Sequence, residues 1–490
     1  VKNNYMEIFN ITFDFTVLIL ALYNLLSFSF RILAICVLPL RHNPSVAMTW
    51  LLVILFWPVP GGFLYLTLGS TKLPRKRKER HEQAMDRLRG SLEKRIPSRK
   101  PAFTEKLASI SRLSEKLGHW PLQYAREMEL IHSAEELIGK IVHDIDRAEH
   151  TVTLLYYIFQ KDHVTAPLIK SLRNAAKRGV KCYVLLDELG SKKFLQKEAS
   201  SLKKDGVQIH GALPLSRLRR TPLTARFDLR NHRKLAVIDC AVGYMGSHNM
   251  TEPSYGGKAR GRKWEDLTIR VTGPIVEQLE GVFLQDWYVE TDQALTECIP
   301  AVPLEDSILY PLQTVPSGPA YETQNYQRLV AAALFNAKSR VVITTPYLIP
   351  DEGLLQALEV ACLNGAQVDL VVPRRSDQFL AGNASKAYYS ELMEIGVNIH
   401  LYEPEVLHAK TITIDEDLAF FGSSNFDIRS FALNFELNMV LYGREETSEV
   451  RKAQDRYLSK ANRLDMEKWE KRSRPAKTIQ GIAKLLSPIL

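Results

Sequence analysis

Two stretches of this chain set a histidine two residues before a lysine and close an apolar run on an aspartate: NHRKLAVID at 231–239 and VLHAKTITID at 406–415. Side chains two apart on a β-strand share a face, so His232 and Lys234 point one way, and so do His408 and Lys410. An imidazole beside an ammonium is a poor pairing for structure alone. It makes sense where a dianion or developing phosphoryl charge must be held. Repeated across a pseudo-twofold axis, the arrangement gathers two imidazoles and two ammoniums around one phosphorus.

Such a set suits displacement in two steps. One histidine attacks and becomes a phosphohistidine; the other protonates the leaving alkoxide, then deprotonates the acceptor. Histidine fits both tasks because its unperturbed pKa, roughly 6.5, lies near neutral pH. Ser247, Asn249, Ser423 and Asn425 follow the motifs on turns and are candidates to donate to phosphoryl oxygens. Asp266 in WEDLTI and Glu436 in NFELNM are candidates to fix a histidine tautomer. Asp239 and Asp415 complete the catalytic motifs, with anchoring of a turn as their expected work. No metal and no cofactor is expected, since the lysines bring the charge a cation would supply.

A lone H-x-K triplet is usually an ordinary exposed strand. Here the elements around it are duplicated as well. TVTLLYYIF reads as a strand, APLIKSLRNAAKRG as a helix and VKCYVLLDE as a strand; SRVVITTPYLI, EGLLQALEVACLNG and AQVDLVVP repeat that order. GVQIH precedes the first motif and GVNIH the second, and Asp239 to Gly246 matches Asp415 to Gly422 in spacing. The fold expected is a duplicated α/β unit of about 150 residues, its two halves meeting face to face. The stretch MELIHSAEELIGKIVHDIDRAEH at 128–150 has helical apolar spacing and should open the first half.

At 490 residues there is room for two domains and appendages, and the formal charge of +9 favours an anionic partner. Five scattered cysteines without a Cys-x-x-Cys pair argue against a zinc site or disulfide framework. The N-terminus holds two long apolar runs, expected as transmembrane helices at about 13–37 and 46–68. KLPRKRKER follows, which by the positive-inside rule places the remainder in the cytoplasm and also suits anionic headgroups. The organisation expected is an anchor at 1–71, a basic connector at 72–127, a first half at 128–290, a linker at 291–320, a second half at 321–465 and an amphipathic segment at 466–490. In the last, Ile479, Ile482, Leu485, Leu486 and Ile489 fall mainly on one helical face.

HRKLAVIDCAVGYMGSHN and HAKTITIDEDLAFFGSSN both match H-x-K-x4-D-x6-G-S-x-N, and by this signature the chain resembles the phospholipase D superfamily. With the two apolar runs, RNHRK, TPYLIPDEGLL, FDIRSFALNFELN and the final LLSPIL, it is similar to bacterial cardiolipin synthases of phospholipase D type. The resemblance implies two pseudo-symmetric α/β sandwich halves and transfer of a phosphatidyl group between two phosphatidylglycerol molecules, releasing glycerol. It implies His232 and His408 as nucleophile and acid–base pair, with His232 favoured for attack, and Lys234 and Lys410 on phosphate. The partners implied are phosphatidylglycerol and anionic membrane lipids, not nucleic acid, for an integral protein of the bacterial cell membrane. One departure stands out. Many relatives read G-G-x-N-x-G-D-E-Y-x-G after the first motif, whereas this chain reads GSHNMTEPSYGG, followed by a basic GGKARGRK. A hydrolase giving phosphatidic acid and a nuclease are the alternative activities of the same motif. LSRLRRTPLTARFDLRN, with Arg217, Arg219, Arg220 and Arg226, is expected at a membrane-facing rim.

Overall fold

The two motif strands, Lys234–Ile238 and Thr411–Ile414, lie centrally in two sheets built in the same order. This computed structural model describes residues 2–69, 73–92, 101–214, 228–256, 261–295, 309–321 and 324–487. The arginines expected at a membrane-facing rim and residues 257–260 of GGKARGRK lie outside the described residues. The first sheet runs Glu127–Ile131, Thr268–Thr272, Val242–Gly246, Lys234–Ile238, Thr151–Tyr156, Lys181–Asp187, Gln208–Ala212. The second runs Tyr310–Ser317, Glu436–Tyr442, Leu418–Gly422, Thr411–Ile414, Arg340–Thr344, Gln367–Pro373, Asn398–Tyr402, with Gln123–Ala125 and Ala461–Arg463 added at its edges. In each, the last three matching strands are parallel, and the motif strand pairs antiparallel to the first of them.

The period of two along the motif strand decides the packing. Leu235 and Val237 join the core between the sheets with Leu437 and Met439, while Ala236 and Ile238 turn to an outer layer with Ile141 and Leu168. The helix Ile275–Thr291 belongs to the inner core and is buried along nearly its whole length. Phe283 and Trp287 are fully buried there, each stabilising the fold by roughly 1.5–3 kcal/mol. Its polar residues tie elements together: Gln278 Nε2 donates to the Pro121 carbonyl at 2.6 Å, and the Thr314 amide donates to Gln278 Oε1 at 3.1 Å.

Three expectations change. Residues 127–131 form an edge strand, not the start of a helix; pairing with Thr268–Thr272 overrides their local spacing. The helix starts at Ala134, where Ser133 accepts the Glu136 amide as N-cap. The connector 72–127 is largely folded onto the body. Helix Arg75–Leu92 is tied to Ile275–Thr291 through the buried Arg77–Glu290 pair at 2.6 Å. Helix Glu105–Gly118 sends Lys106 to Asp415 and Asp417, at 2.9 and 2.6 Å. Part of the basic run therefore serves internal ion pairs.

The third concerns the apolar N-terminal unit. Its first run is helical, and Phe15–Arg41 is long and apolar enough to cross a membrane. The second run is broken into Pro44–Phe56 and Pro58–Leu68. Pro58 lacks an amide hydrogen and disfavours helix at Trp57, whose φ is −129° and ψ 76°. The second piece folds back: a Cβ at Gly61 would lie 2.9 Å from the Val53 carbonyl oxygen, and one at Gly62 2.4 Å from the Phe30 ring. Helices of 13 and 11 residues reach about 20 and 16 Å, short of a hydrocarbon core of about 30 Å. The second span is thus a hairpin of short helices.

Candidate active site

Lys234 opens its strand, and His232 lies just before it, held by a backbone exchange with the other half. The His232 amide donates to the Phe435 carbonyl at 2.8 Å, and the Phe435 amide to the Arg230 carbonyl at 2.9 Å. The second motif mirrors this. The His408 amide donates to the Glu265 carbonyl at 2.9 Å, and Val406–Leu407 pairs with Trp264–Glu265. Each histidine approach is thereby sewn to the segment carrying the other half's acid.

The side chains follow the same exchange. His232 Nδ1 donates to Glu436 Oε2 at 3.0 Å, and His408 Nδ1 to Asp266 Oδ1 at 2.6 Å. Each acid thus serves the histidine of the opposite half, leaving that ring's Nε2 for reaction. Ser247 Oγ donates to Asp266 at 2.6 Å and accepts the Leu267 amide; Ser423 Oγ donates to Glu436 at 2.5 Å and accepts the Leu437 amide. The serine hydroxyls are engaged in holding the acids. Asn249 is engaged too, accepting the Ile158 amide and donating to the Tyr255 hydroxyl at 2.8 Å. Of these four, only Asn425 keeps a buried amide oxygen with no hydrogen-bond partner among the described residues.

Asp239 and Asp415 sit beyond the far ends of their strands. Both backbones have positive φ, at 50° and 54°. Asp239 accepts the amides of Glu149, His150 and Thr151; Asp415 accepts those of Lys338 and Ser339 and pairs with Lys106. Both carboxylates thus hold the backbone amides that lead into the neighbouring strand.

Burial sets the electrostatics. It pushes Lys234 down to about 8 and Lys410 to about 7, and for Lys410 the other ammonium adds to the fall. Burial, then Lys410, lowers His408 to about 4; His232 is lowered mainly by burial as well. Burial alone would raise Asp266 and Glu436, yet their histidines hold both carboxyls below the usual range. Lys410 acts on His232 and Lys234 on His408, so the two motifs share one field. Among the described residues, no group of three or more His, Cys, Asp or Glu is placed to hold a metal ion.

Several neighbours escaped the sequence reading. The Tyr157 ring lies 4.9 Å from His232, and the Trp264 ring meets His408 edge-on at 5.1 Å and stacks on Tyr255. Arg233, between His232 and Lys234, is fully buried: Nη1 donates to Asp286 at 2.6 Å and Nε to the Glu436 carbonyl at 3.0 Å. The departed loop is held by Asp162, which accepts the Glu252 amide and the Thr251 hydroxyl at 2.8 and 3.2 Å. Only the doubled tyrosine of TLLYYIF and the tryptophan beside Asp266 hinted at the aromatic walls.

Paired sandwich halves with two histidine–lysine motifs in one field define a phospholipase D-type protein. The family described as cardiolipin synthase, PLD-like domain, matches residues 141–287 and 330–458. Cardiolipin synthase A of Klebsiella pneumoniae (strain 342) is 31% identical over 459 residues, covering 92% of this chain and 94% of that protein. Cardiolipin synthase A of Wigglesworthia glossinidia brevipalpis is also 31% identical, over 467 residues, with 92% of each chain covered. The crystal structure of phosphatidylserine synthase from Haemophilus influenzae Rd KW20 has the same fold: TM-score 0.57 at 15% identity, covering 78% of this chain and 100% of that one. The chain belongs to the cardiolipin synthase family of phospholipase D-type enzymes.

Proposed function

We propose that the chain moves the phosphatidyl group of one phosphatidylglycerol to the terminal hydroxyl of another, giving cardiolipin and glycerol. The observation that carries this reading is the double exchange of acids, which orients both imidazoles beside two buried ammoniums. The near full-length match to cardiolipin synthases supports the choice of lipid.

His232 Nε2 attacks phosphorus; the N–P bond forms as the P–O bond to glycerol breaks, and His408 gives its proton to the departing oxygen. His408 then takes the proton of the acceptor hydroxyl, whose oxygen displaces His232 from phosphorus. Lys234 and Lys410 hold the phosphoryl charge throughout. Each ammonium also disfavours protonation of the imidazoles, an effect that an anionic phosphodiester between them offsets. The N-terminal helices anchor the chain in the cell membrane, with the α/β body in the cytoplasm, a topology supported by Arg75, Lys76 and Lys78 after the apolar helices.

Purified full-length protein given labelled phosphatidylglycerol should yield cardiolipin and glycerol in equal amounts. His232→Ala and His408→Ala should each lower turnover by about 10³-fold or more. Phosphatidic acid as the main product would mean hydrolysis, and plasmid cleavage would mean nuclease activity. Substantial cardiolipin formation by either variant would overturn the two-histidine mechanism.

A further inference from the structure

Strand Gln367–Pro373 leads through residues 374–378 into helix Phe379–Ala387. This connection borders the candidate site. Asp377 accepts the Tyr347 hydroxyl, and its charge acts on Lys410 and Tyr255. Directly afterwards, Phe379 is 72% exposed and Leu380 is 38% exposed.

The first half supplies an internal control. Its matching connection leads into helix Lys192–Lys197, which carries the same Phe-Leu pair as Phe194 and Leu195. Phe194 is 3% exposed, with its ring 4.5 Å from that of Phe159. The architecture can therefore bury this phenylalanine, and in the second half it does not. Nor is the exposed pair carried on a loose loop. Ser376 Oγ accepts the Gln378 amide and donates to its carbonyl, at 3.1 and 3.0 Å. The Gly382 amide donates to that same carbonyl at 2.9 Å, and a Cβ at Gly382 would lie 2.4 Å from Ser376 Cβ.

The surroundings say what covers the pair. Arg375, exposed at its foot beside the Arg374–Glu403 ion pair, is a cation suited to phosphate headgroups beneath an apolar tip. Helix Tyr389–Glu394, next in the chain, holds the C-terminal helix Arg474–Leu486: Lys484 lies 4.3 Å from the Tyr388 ring and 2.7 Å from Glu391. That second helix exposes Ile479 and Ile482. An exposed apolar pair with a cation at its foot, and a helix nearby that exposes further apolar side chains, fit the interface of a phospholipid bilayer.

We propose that Phe379 and Leu380 form a lip that enters the acyl layer of the bilayer beside the catalytic lysines, with Arg375 at headgroup depth. A phospholipid then slides along the lip to bring its phosphodiester to Lys410 without leaving the membrane. This inference rests on the lipid-transfer reading above.

The test uses full-length protein in phosphatidylcholine vesicles, with phosphatidylglycerol offered either as a long-chain lipid in the bilayer or as the dihexanoyl form dissolved in water. Phe379→Asp should slow turnover of the bilayer substrate about tenfold, through KM, and leave the dissolved substrate within about twofold; Phe379→Leu should behave as the parent. The additional emission of Phe379→Trp over the parent should be quenched by brominated acyl chains. Equal losses of Phe379→Asp on both substrates, no loss on the bilayer substrate, or an unquenched Trp would each overturn the lip. Should the parent turn over neither substrate, the transfer reading fails separately, and quenching alone decides whether the tip enters lipid.

Discussion

At the scale of residues, the costliest feature is a pair of ammoniums buried in one site. With Lys410 near 7 and Lys234 near 8, the site loses positive charge across neutrality. Sulfate remains a dianion across this range, so its inhibition of turnover reports the lysines. Its affinity should be level below pH 7 and fall by up to about tenfold per unit as Lys410 deprotonates. Lys410→Met should weaken sulfate overall, flatten that limb and cost turnover about 10²-fold or more. A melting scan should show no loss of Tm in this variant, since the native lysine is driven towards its neutral form by burial. A break retained at pH 7 in Lys410→Met would locate the titration elsewhere, since Lys234 alone bends the profile near 8. The two histidine–lysine pairs could be read from the chain because H-x-K appears twice with equal continuation. Which acid serves which histidine could not: Glu436 and His232 are 204 positions apart, and only the tertiary crossing joins them. Arg233 was equally hidden, as nothing in HRK distinguishes a guanidinium in water from one sealed beneath a site.

At the scale of elements, the motif aspartates are hinges between strand and turn. Asp239 satisfies three consecutive amides, so Asp239→Ala should destabilise the body by about 1–3 kcal/mol in denaturant unfolding while KM changes little. Asp415 adds a pH dependence. Burial opposes its ionisation, but Lys106 and the amides outweigh that and lower it from 3.8 to about 2. Because the native value is the lower one, its stabilisation is complete above the unfolded value and disappears as pH falls through about 2. Lys106→Met should therefore remove part of the acid resistance seen in unfolding curves, with little effect at neutral pH beyond the lost pair. The strand–helix–strand order of each half was legible from apolar periodicity and the repeat. Residues 127–131 were not, because an edge strand depends on a partner more than a hundred positions later. The broken second apolar run was legible in Pro58, Pro60, Gly61 and Gly62, but the length of the run concealed it.

For the whole molecule, the same strand order in both sheets agrees with the duplication read from the sequence. The inner helix Ile275–Thr291 was not foreseen as shared: it belongs to the first copy in sequence yet packs against strand Tyr310–Ser317 as well. A fragment spanning 128–290 should accordingly leave a broad apolar face uncovered. Expressed alone, it should bind a hydrophobic dye and lack a cooperative melt; a sharply melting, dye-free monomer would show that each half is self-sufficient. The sequence repeat revealed that there were two copies, but not how the segment 101–125, which precedes both, completes the second one, since those residues lack the repeated pattern.

The crossed carboxylates also bear on heredity. A lesion in the segment bearing Asp266 is felt by His408, 142 positions downstream, so neither copy of the ancestral duplication is free to drift or decay while its sibling is retained. Redundancy, the usual legacy of gene doubling, has been exchanged for mutual dependence.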